Sequence, residues 1–262
     1  MDDSLGDRMK KYEETTHLIL PPNFPLIIRV DGHCFHKFTR GMEKPFDFQL
    51  IELMNTVGIA LCKEISNTKV AYLQSDEINL LVYNQSPQEP WFGNVYAKLC
   101  SISASLAAAA TMKWKYEHDF KPNYIVTFDS RAFILPPYEI QNYFIHRQND
   151  WSRNSLQMLA RSLYSHRHLA GKKKSELHEL CFAKGQNWAN LPTILKNGRC
   201  IIKREQTYEV KNEHFQGFIS RPKWVVDLEI PVFTQDSNYL KQFCEDERLP
   251  SKSLGDKNGH NL

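Results

Sequence analysis

The sequence predicts an α+β protein: a ferredoxin-type βαββαβ sheet with helices, followed by a smaller mixed C-terminal region. Three observations predict it. Short β-rich apolar runs and amphipathic stretches alternate in the order β-α-β-β-α-β over the first half of the chain, the split βαβ pattern. The two central β-rich runs are separated by Gln74-Ser75-Asp76-Glu77, which reads as a hairpin loop. The chain has 262 residues, 42% of them hydrophobic and 24% charged, which is enough for a sizeable core and excludes wholesale disorder. Only 11 glycines and 13 prolines exclude collagen-like and linker-dominated chains.

Taken in order, Pro25 to Val30 is a short apolar run after PPNFP that stops at Asp31-Gly32, a buried strand with an acid-glycine pair at its exit. From Phe48 the spacing changes. Leu50, Met54, Val57, Leu61 and Ile65 recur at three- or four-residue steps and mark an amphipathic helix. Lys69 to Leu73 and Ile78 to Tyr83 are the two hairpin strands, and Asn94 to Tyr116, rich in Ala and Ser, is a second helix. Tyr124 to Phe128 and Ala132 to Leu135 resume strand character, and a long helical stretch runs from Pro137 to Leu169. The domain expectation is a core over 1–136, a helical and mixed region over 137–244, and a disordered tail over 245–262, where apolar content nearly vanishes.

The longest weakly polar run, Ile102 to Met112, is too short to cross a bilayer. The charged N-terminus MDDSLGDRMKKYEE has no apolar core and is not a secretory signal, so a cytoplasmic protein without a membrane partner is expected. The six cysteines are scattered and include no CxxC pair, which suggests reduced, mostly buried thiols.

The net charge of +3 is uninformative; its distribution is not. Between Arg147 and Lys174 lie seven basic residues (Arg147, Arg153, Arg161, Arg167, Lys172, Lys173, Lys174) and one acid, Asp150. Such a stretch attracts a phosphate backbone. Taken alone it is about equally a solvated helix face. A second constellation is acidic. The exit of the first strand and the hairpin turn can meet at one edge of the sheet, bringing Asp31 to Asp76 and Glu77. Two carboxylates beside a glycine carbonyl are the hard oxygen ligands that Mg²⁺ prefers. Two ions roughly 3.5–4 Å apart would clamp an in-line phosphoryl displacement. The plainer alternative is a turn acid before glycine and a solvated hairpin acid, and the pattern alone favours it.

Other signals fail. AGKKKS lacks the upstream glycine of a phosphate-cradling loop, and there is no GxGxxG. His166, His168 and His178 lack any zinc spacing. Phe35 to Phe38 reads as core aromatics, and Cys34 has no His-Asn or His-Asp arrangement to mark it as a nucleophile.

The ordered set of segments is more specific than any one of them. RVDGHCFHKFT (29–39), EKPFD (43–47), QSDEINLL (74–81), KLCSISAS (98–105), FDSRAF (128–133), RQNDWSRNS (147–155) and KGQNWANLP (184–192) together resemble the tRNA-His guanylyltransferase family over roughly Leu26 to Asn197. These are 3′–5′ polymerases that add nucleotides to the 5′ end of tRNA. The resemblance implies a palm-like catalytic domain carrying two Mg²⁺ ions, with ATP, GTP or other nucleoside triphosphates as substrates. By position it implies a catalytic set of Asp31, Asp76 and Glu77, and metal ligation by Asp31, the Gly32 carbonyl and Asp76. It likewise implies nucleotide contacts from Arg29, Lys44, Ser75, Lys98 and Asn154, tRNA as partner, and a homotetramer. Where family members acting on tRNA-His carry HINNLYN, this chain reads Ser152-Arg153-Asn154-Ser155-Leu156-Gln157-Met158. That departure resembles the guanylyltransferase-like branch, associated with template-dependent 5′-end repair of truncated tRNAs.

The leading expectation is therefore a Mg²⁺-dependent 3′–5′ nucleotidyltransferase repairing the 5′ end of tRNA. The alternatives are a strict tRNA-His guanylyltransferase adding G at position −1, a palm-domain nucleotide cyclase, and a silent RNA-binding protein. The long basic stretch argues against the cyclase, and the retained acids argue against the silent binder.

Overall fold

The computed structural model describes residues 4–83, 89–212 and 215–244. The elements run α1 (Leu5–Glu14), β1 (Leu26–Gly32), α2 (Phe35–Phe38), α3 (Phe48–Glu64), β2 (Thr68–Gln74), β3 (Glu77–Val82), α4 (Tyr96–Glu117) and β4 (Phe128–Ile134). Then follow α5 (Ile140–Leu163), α6 (His166–Leu169), α7 (Lys174–Ala183), α8 (Thr193–Lys196), β5 (Arg199–Asn212), β6 (Phe215–Asp227) and α9 (Asn238–Cys244). One six-stranded sheet has the order β4-β1-β3-β2-β5-β6, with every neighbour antiparallel. Its first four strands form the ferredoxin-type βαββαβ unit.

β1 reads as a continuous apolar run because the sheet is covered on both faces. Leu26, Ile28 and Val30 join Leu80, Leu73, Met54 and Ala107 in the core beneath α3 and α4. Ile27 points the other way, into a second core with Tyr72, Leu81, Phe144 and Phe233 beneath α5 and α9. A third, smaller cluster packs α5 on α7 through Leu156, Leu159, Leu177 and Cys181. The α3 helix starts where Asp47 caps it, its carboxylate accepting from the Gln49 and Leu50 N–H groups at 2.8 and 3.1 Å. Gly58 lets that helix press on the sheet: a Cβ there would sit 2.5 Å from Ile201 Cδ1.

Three sequence expectations are corrected. Tyr124 to Phe128 is not a strand; only Phe128 belongs to one, and β4 continues unbroken through Asp129, Ser130 and Arg131. Its polar residues belong to an edge strand paired with β1 on one side only, so apolar alternation is weak there. The helix expected to run to Leu169 ends at Leu163, where Tyr164 turns extended and its hydroxyl donates to the Leu180 carbonyl at 2.9 Å. The helix expected from Asn94 begins at Tyr96, because Asn94 adopts a positive φ of 55°. The C-terminal region also extends the sheet across the 136/137 boundary. β5 pairs with β2 through Ala71, Tyr72 and Leu73, and beyond that contact β5 and β6 continue as a two-stranded ribbon. The tail expected over 245–262 lies outside the described residues.

Candidate active site at the end of the sheet

The β1 strand delivers Asp31 to the sheet end in register with Glu77 on β3 and Asp129 on β4. The hairpin loop shrinks to a two-residue turn, Ser75-Asp76, since Gln74 and Glu77 already pair across it. Ser75 takes a φ of 44°, the left-handed start that a tight primed turn requires. The turn is tied to β1 by the Gly32 N–H, which donates to the Asp76 carbonyl at 3.2 Å. Phe35 covers Gly32 so closely that a Cβ would meet its ring at 2.2 Å.

Three carboxylates thus converge, and they are handled in two ways. Glu77 is buried and fully engaged. Arg147 grips it through Nε to Oε1 and Nη2 to Oε2, both 2.7 Å, while Gln74 and Asn79 donate to Oε1 at 2.9 and 2.8 Å. Asp31 and Asp76 have no cationic partner: among the described residues, no salt bridge reaches either of them, and Asp76 is hydrogen-bonded only by the Ser75 side chain and its own backbone. Burial, then the Asp76, Glu77 and Asp129 carboxylates, push the Asp31 carboxyl from 3.8 up to about 6. Burial likewise raises the Asp76 carboxyl, against hydrogen bonds from the Ser75 side chain and the Asp76 backbone that lower it. Two crowded, uncompensated carboxylates beside the Gly32 carbonyl are a hard-oxygen donor set that fits a divalent cation such as Mg²⁺. A bound cation would reverse the sign of both shifts.

Two cavities flank the acids. One cleft is lined by Asp31, Gln74, Ser75, Asp76, Asn154 and Trp151, among others. Next to it, a largely apolar hollow carries Lys44 and Ser75 on its wall with Pro45, Phe46, Leu50 and Trp151. Ser75, Trp151 and Met158 belong to both walls.

The structure therefore gathers Asp31, Gly32, Asp76, Ser75, Lys44 and Asn154 around one site. Arg29 sits one rung behind Asp31 on the same sheet face, opposite Asn79 and Arg131. Its positive charge lowers the Asp31 carboxyl, though burial and the acids prevail. Lys98 stands apart. It is exposed at the start of α4, five residues before Ser103, whose hydroxyl meets Ser130 at 2.7 Å. Ser130 faces Val30 on β1, so Lys98 lies beyond that rung, away from Asp31, and lines neither cavity. Arg147 is also corrected. It is buried against Glu77 and Asp150 and does not join an exposed phosphate track. Arg153, Arg161, Arg167, Lys172, Lys173 and Lys174 are exposed along the end of α5 and the start of α7. Of these, Arg153 pairs with Asp150, and Lys172 with Glu176 at 3.0 Å. Sequence reasoning missed Trp151 and Gln74; their only signal was spacing, since Trp151 lies one helical turn from Arg147, and Gln74 directly precedes the turn.

This arrangement is matched in known proteins. The profile of the family described as tRNAHis guanylyltransferase (Thg1) matches residues 6–136, half of the chain. The chain belongs to the tRNAHis guanylyltransferase family. It is a nucleotidyltransferase of that family. A bacterial tRNA(His) guanylyltransferase (Thg1)-like protein solved in complex with ATP is 37% identical, with a TM-score of 0.82. The match covers 92% of this chain and 99% of that one. The bacterial Thg1-like protein in complex with GTP matches at the same identity and coverage with a TM-score of 0.75. The tRNA(His) guanylyltransferase of Schizosaccharomyces pombe is 28% identical over 94% of this chain and 98% of its own length. The likeness to the bacterial Thg1-like structures accords with the absence of HINNLYN. Among the described residues, no helix is long and apolar enough to cross a membrane.

Proposed function

We propose that this nucleotidyltransferase extends the 5′ end of tRNA in the 3′–5′ direction, using Mg²⁺ and nucleoside triphosphates, with the added base chosen by the opposing strand. The observation that carries it is the meeting of Asp31 and Asp76, crowded and without cationic partners, in the wall of one cleft. ATP and GTP in the complexes of the Thg1-like relatives support the choice of substrate.

In this reading Asp31, the Gly32 carbonyl and Asp76 hold two Mg²⁺ ions. When bound, the ions supply neutralisation of the charge that develops on the transferring phosphoryl group. Lys44 offers a point charge to the triphosphate, and Ser75 and Asn154 offer neutral hydrogen-bond donors. Arg147 holds Glu77, and Glu77 in turn holds Gln74 and Asn79, so the acidic turn keeps one geometry. The 3′-hydroxyl oxygen of the incoming nucleotide attacks the 5′-terminal phosphorus of the tRNA. The new P–O bond forms as the bond to AMP breaks, when the end was first adenylylated by ATP, or as pyrophosphate leaves from a triphosphorylated end. The hydroxyl proton passes to solvent. The exposed run Arg153, Arg161, Arg167, Lys172, Lys173 and Lys174 tracks the acceptor-stem phosphates. Homotetrameric assembly and cytoplasmic residence complete the proposal.

The test uses transcripts of several tRNAs lacking their 5′ nucleotide, 5′-labelled, with Mg²⁺ and all four nucleotides. The expected result is comparable activity whatever the anticodon, with the added base following the opposing 3′-strand base. Activity that tracks the His anticodon, or guanosine added regardless of the opposing base, would overturn the repair reading.

A further inference from the structure

Behind the acidic pair, side chains from three elements form a hydrogen-bond chain whose direction is fixed at one end. Glu77, paired with Arg147, only accepts. Asn79 donates to its Oε1 through Nδ2 at 2.8 Å, so the Asn79 amide turns its Oδ1 the other way. The Tyr143 hydroxyl meets that Oδ1 at 2.6 Å and has to donate, since an amide oxygen only accepts. Its lone pairs are left to accept, and Arg29 hydrogen-bonds the same hydroxyl. The polarity therefore runs from Arg29 through Tyr143 and Asn79 to Glu77.

Arg29 has a stronger acceptor close by. It precedes Asp31 by two residues on β1, so the two share a sheet face at a spacing of roughly 7 Å, which an arginine side chain can span. Among the described residues, no salt bridge joins them. The guanidinium is also incompletely met where it stands, because its Nε is buried without an acceptor. The acceptor that it does have is fixed by α5. Tyr143 lies one turn before Arg147 on that helix, and its ring packs edge-on against Phe133 and Phe144 at centroid distances of 5.6 and 5.5 Å. An arginine on Asp31 would occupy the oxygens that a cation needs.

We propose that Tyr143 is a positioning residue: it holds Arg29 away from Asp31 and so leaves the Asp31 carboxylate open to a divalent cation. The inference rests on the metal reading given above. Arg29 and the cation compete for one carboxylate, so the tyrosine hydroxyl sets the cation affinity without touching the cation. Its loss would also leave Asn79 Oδ1 without its donor, a structural cost that does not involve Arg29. The two effects separate when Arg29 is removed as well.

The experiment is a double-mutant cycle on the full-length protein, read by EPR titration with Mn²⁺, a probe that takes the same oxygen ligands as Mg²⁺. Tyr143→Phe keeps the ring and is expected to weaken Mn²⁺ binding about ten-fold, the worth of one hydrogen bond to a charged group, as the freed guanidinium takes Asp31. In an Arg29→Met background the same change is expected to alter the affinity by less than about two-fold. Arg29→Met alone is expected to tighten binding by no more than about three-fold, since it removes only a screened repulsion. Unchanged affinity in Tyr143→Phe overturns the proposal. So does an equal loss with and without Arg29, which would make Tyr143 a support for Asn79 and Glu77 alone. Tightening by about ten-fold or more in Arg29→Met would mean that Arg29 already sits on Asp31, and this arm stands even where Tyr143→Phe does not fold. Absence of Mn²⁺ binding by the wild type sinks the metal reading itself, a distinct outcome.

Discussion

Asp76 and Glu77 are neighbours in sequence, yet the fold treats their charges in opposite ways. Glu77 sits in a closed network, its two oxygens meeting Arg147, Gln74 and Asn79 at 2.7–2.9 Å. Asp76, with Asp31 across from it, is crowded by burial and like charge and lacks a counter-ion. The difference comes from strand geometry. Asp76 occupies the turn, whereas Glu77 begins β3 and points with Asn79 and Asp31 to the face that α5 covers. A neutralised acid is a structural part, and an un-neutralised pair is a site in waiting. The lesson is that position in the turn, not acidity, separates the two roles.

Removing either uncompensated acid tests the comparison most severely. Asp31→Asn or Asp76→Asn is expected to lower nucleotide transfer by at least about a thousand-fold, because each vacates a shared ligand position. The same Asp31→Asn change should stabilise the metal-free protein by about 1–2 kcal/mol, since a carboxyl raised to about 6 marks an unfavourable folded-state charge at neutral pH. The sign follows from linkage: a raised carboxyl costs stability once ionised, and the cost fades as pH falls toward the unfolded value. Near-normal turnover by both variants at saturating Mg²⁺ would falsify the metal assignment; a lower melting temperature would show that the acids are not in conflict.

Breaking the compensated acid should act on folding instead. Arg147→Met leaves Glu77 buried and unpaired and is expected to destabilise by about 3–5 kcal/mol in denaturant melts. Adding Glu77→Gln should recover much of that loss. Glu77→Gln alone should leave Mg²⁺ affinity within about three-fold, which calorimetric titration can read; one good ion pair is worth roughly that factor. A collapse in Mg²⁺ affinity would make Glu77 a ligand and erase the contrast.

The smallest effect concerns the exposed cations. Lys172→Ala, Lys173→Ala and Lys174→Ala together should weaken tRNA binding and flatten its salt dependence, by roughly one unit in slope for each phosphate no longer neutralised. The full three units are not expected. Lys172 already pairs with Glu176 at 3.0 Å, and Lys174 lies over the Trp188 ring at 5.9 Å, so phosphate would compete with internal partners. An unchanged slope would mean the run is a solvated loop.

Much of the site was legible because its signals are local. Asp31-Gly32 after an apolar run, and an acid-bearing loop between two β-rich runs, bring both carboxylates to one sheet edge, but only the ordered set of family segments favours a site there over two turn acids. The partners of those acids were not legible. Nothing in the basic run separated Arg147, buried against Glu77, from Arg161, which stands in solvent; one helix face turns inward and the other does not. Trp151 and Gln74 were missed for the same reason, since only packing brings them to the wall of the cleft. In the fold, β1, β2 and β3 were legible as short β-rich runs, and β4 only in its second half. The β5–β6 hairpin was not, because Lys203, Arg204 and Glu205 lie in succession on a ribbon exposed beyond the sheet and hide the alternation that a half-buried strand displays.

The closeness of Phe35 to Gly32 has a consequence for how this sequence can change. The Phe35 ring sits where a Cβ on residue 32 would have to go, and it is held there by Phe38 and Phe128 at centroid distances of 5.3 and 5.1 Å. Alanine at position 32 therefore has no viable first step on its own. It becomes accessible only after position 35 has shrunk, and that shrinkage opens a void against the Phe38 and Phe128 rings. Any mutational path to a different residue at position 32 thus crosses a less stable intermediate, because the phenylalanine has to be exchanged before the glycine can be.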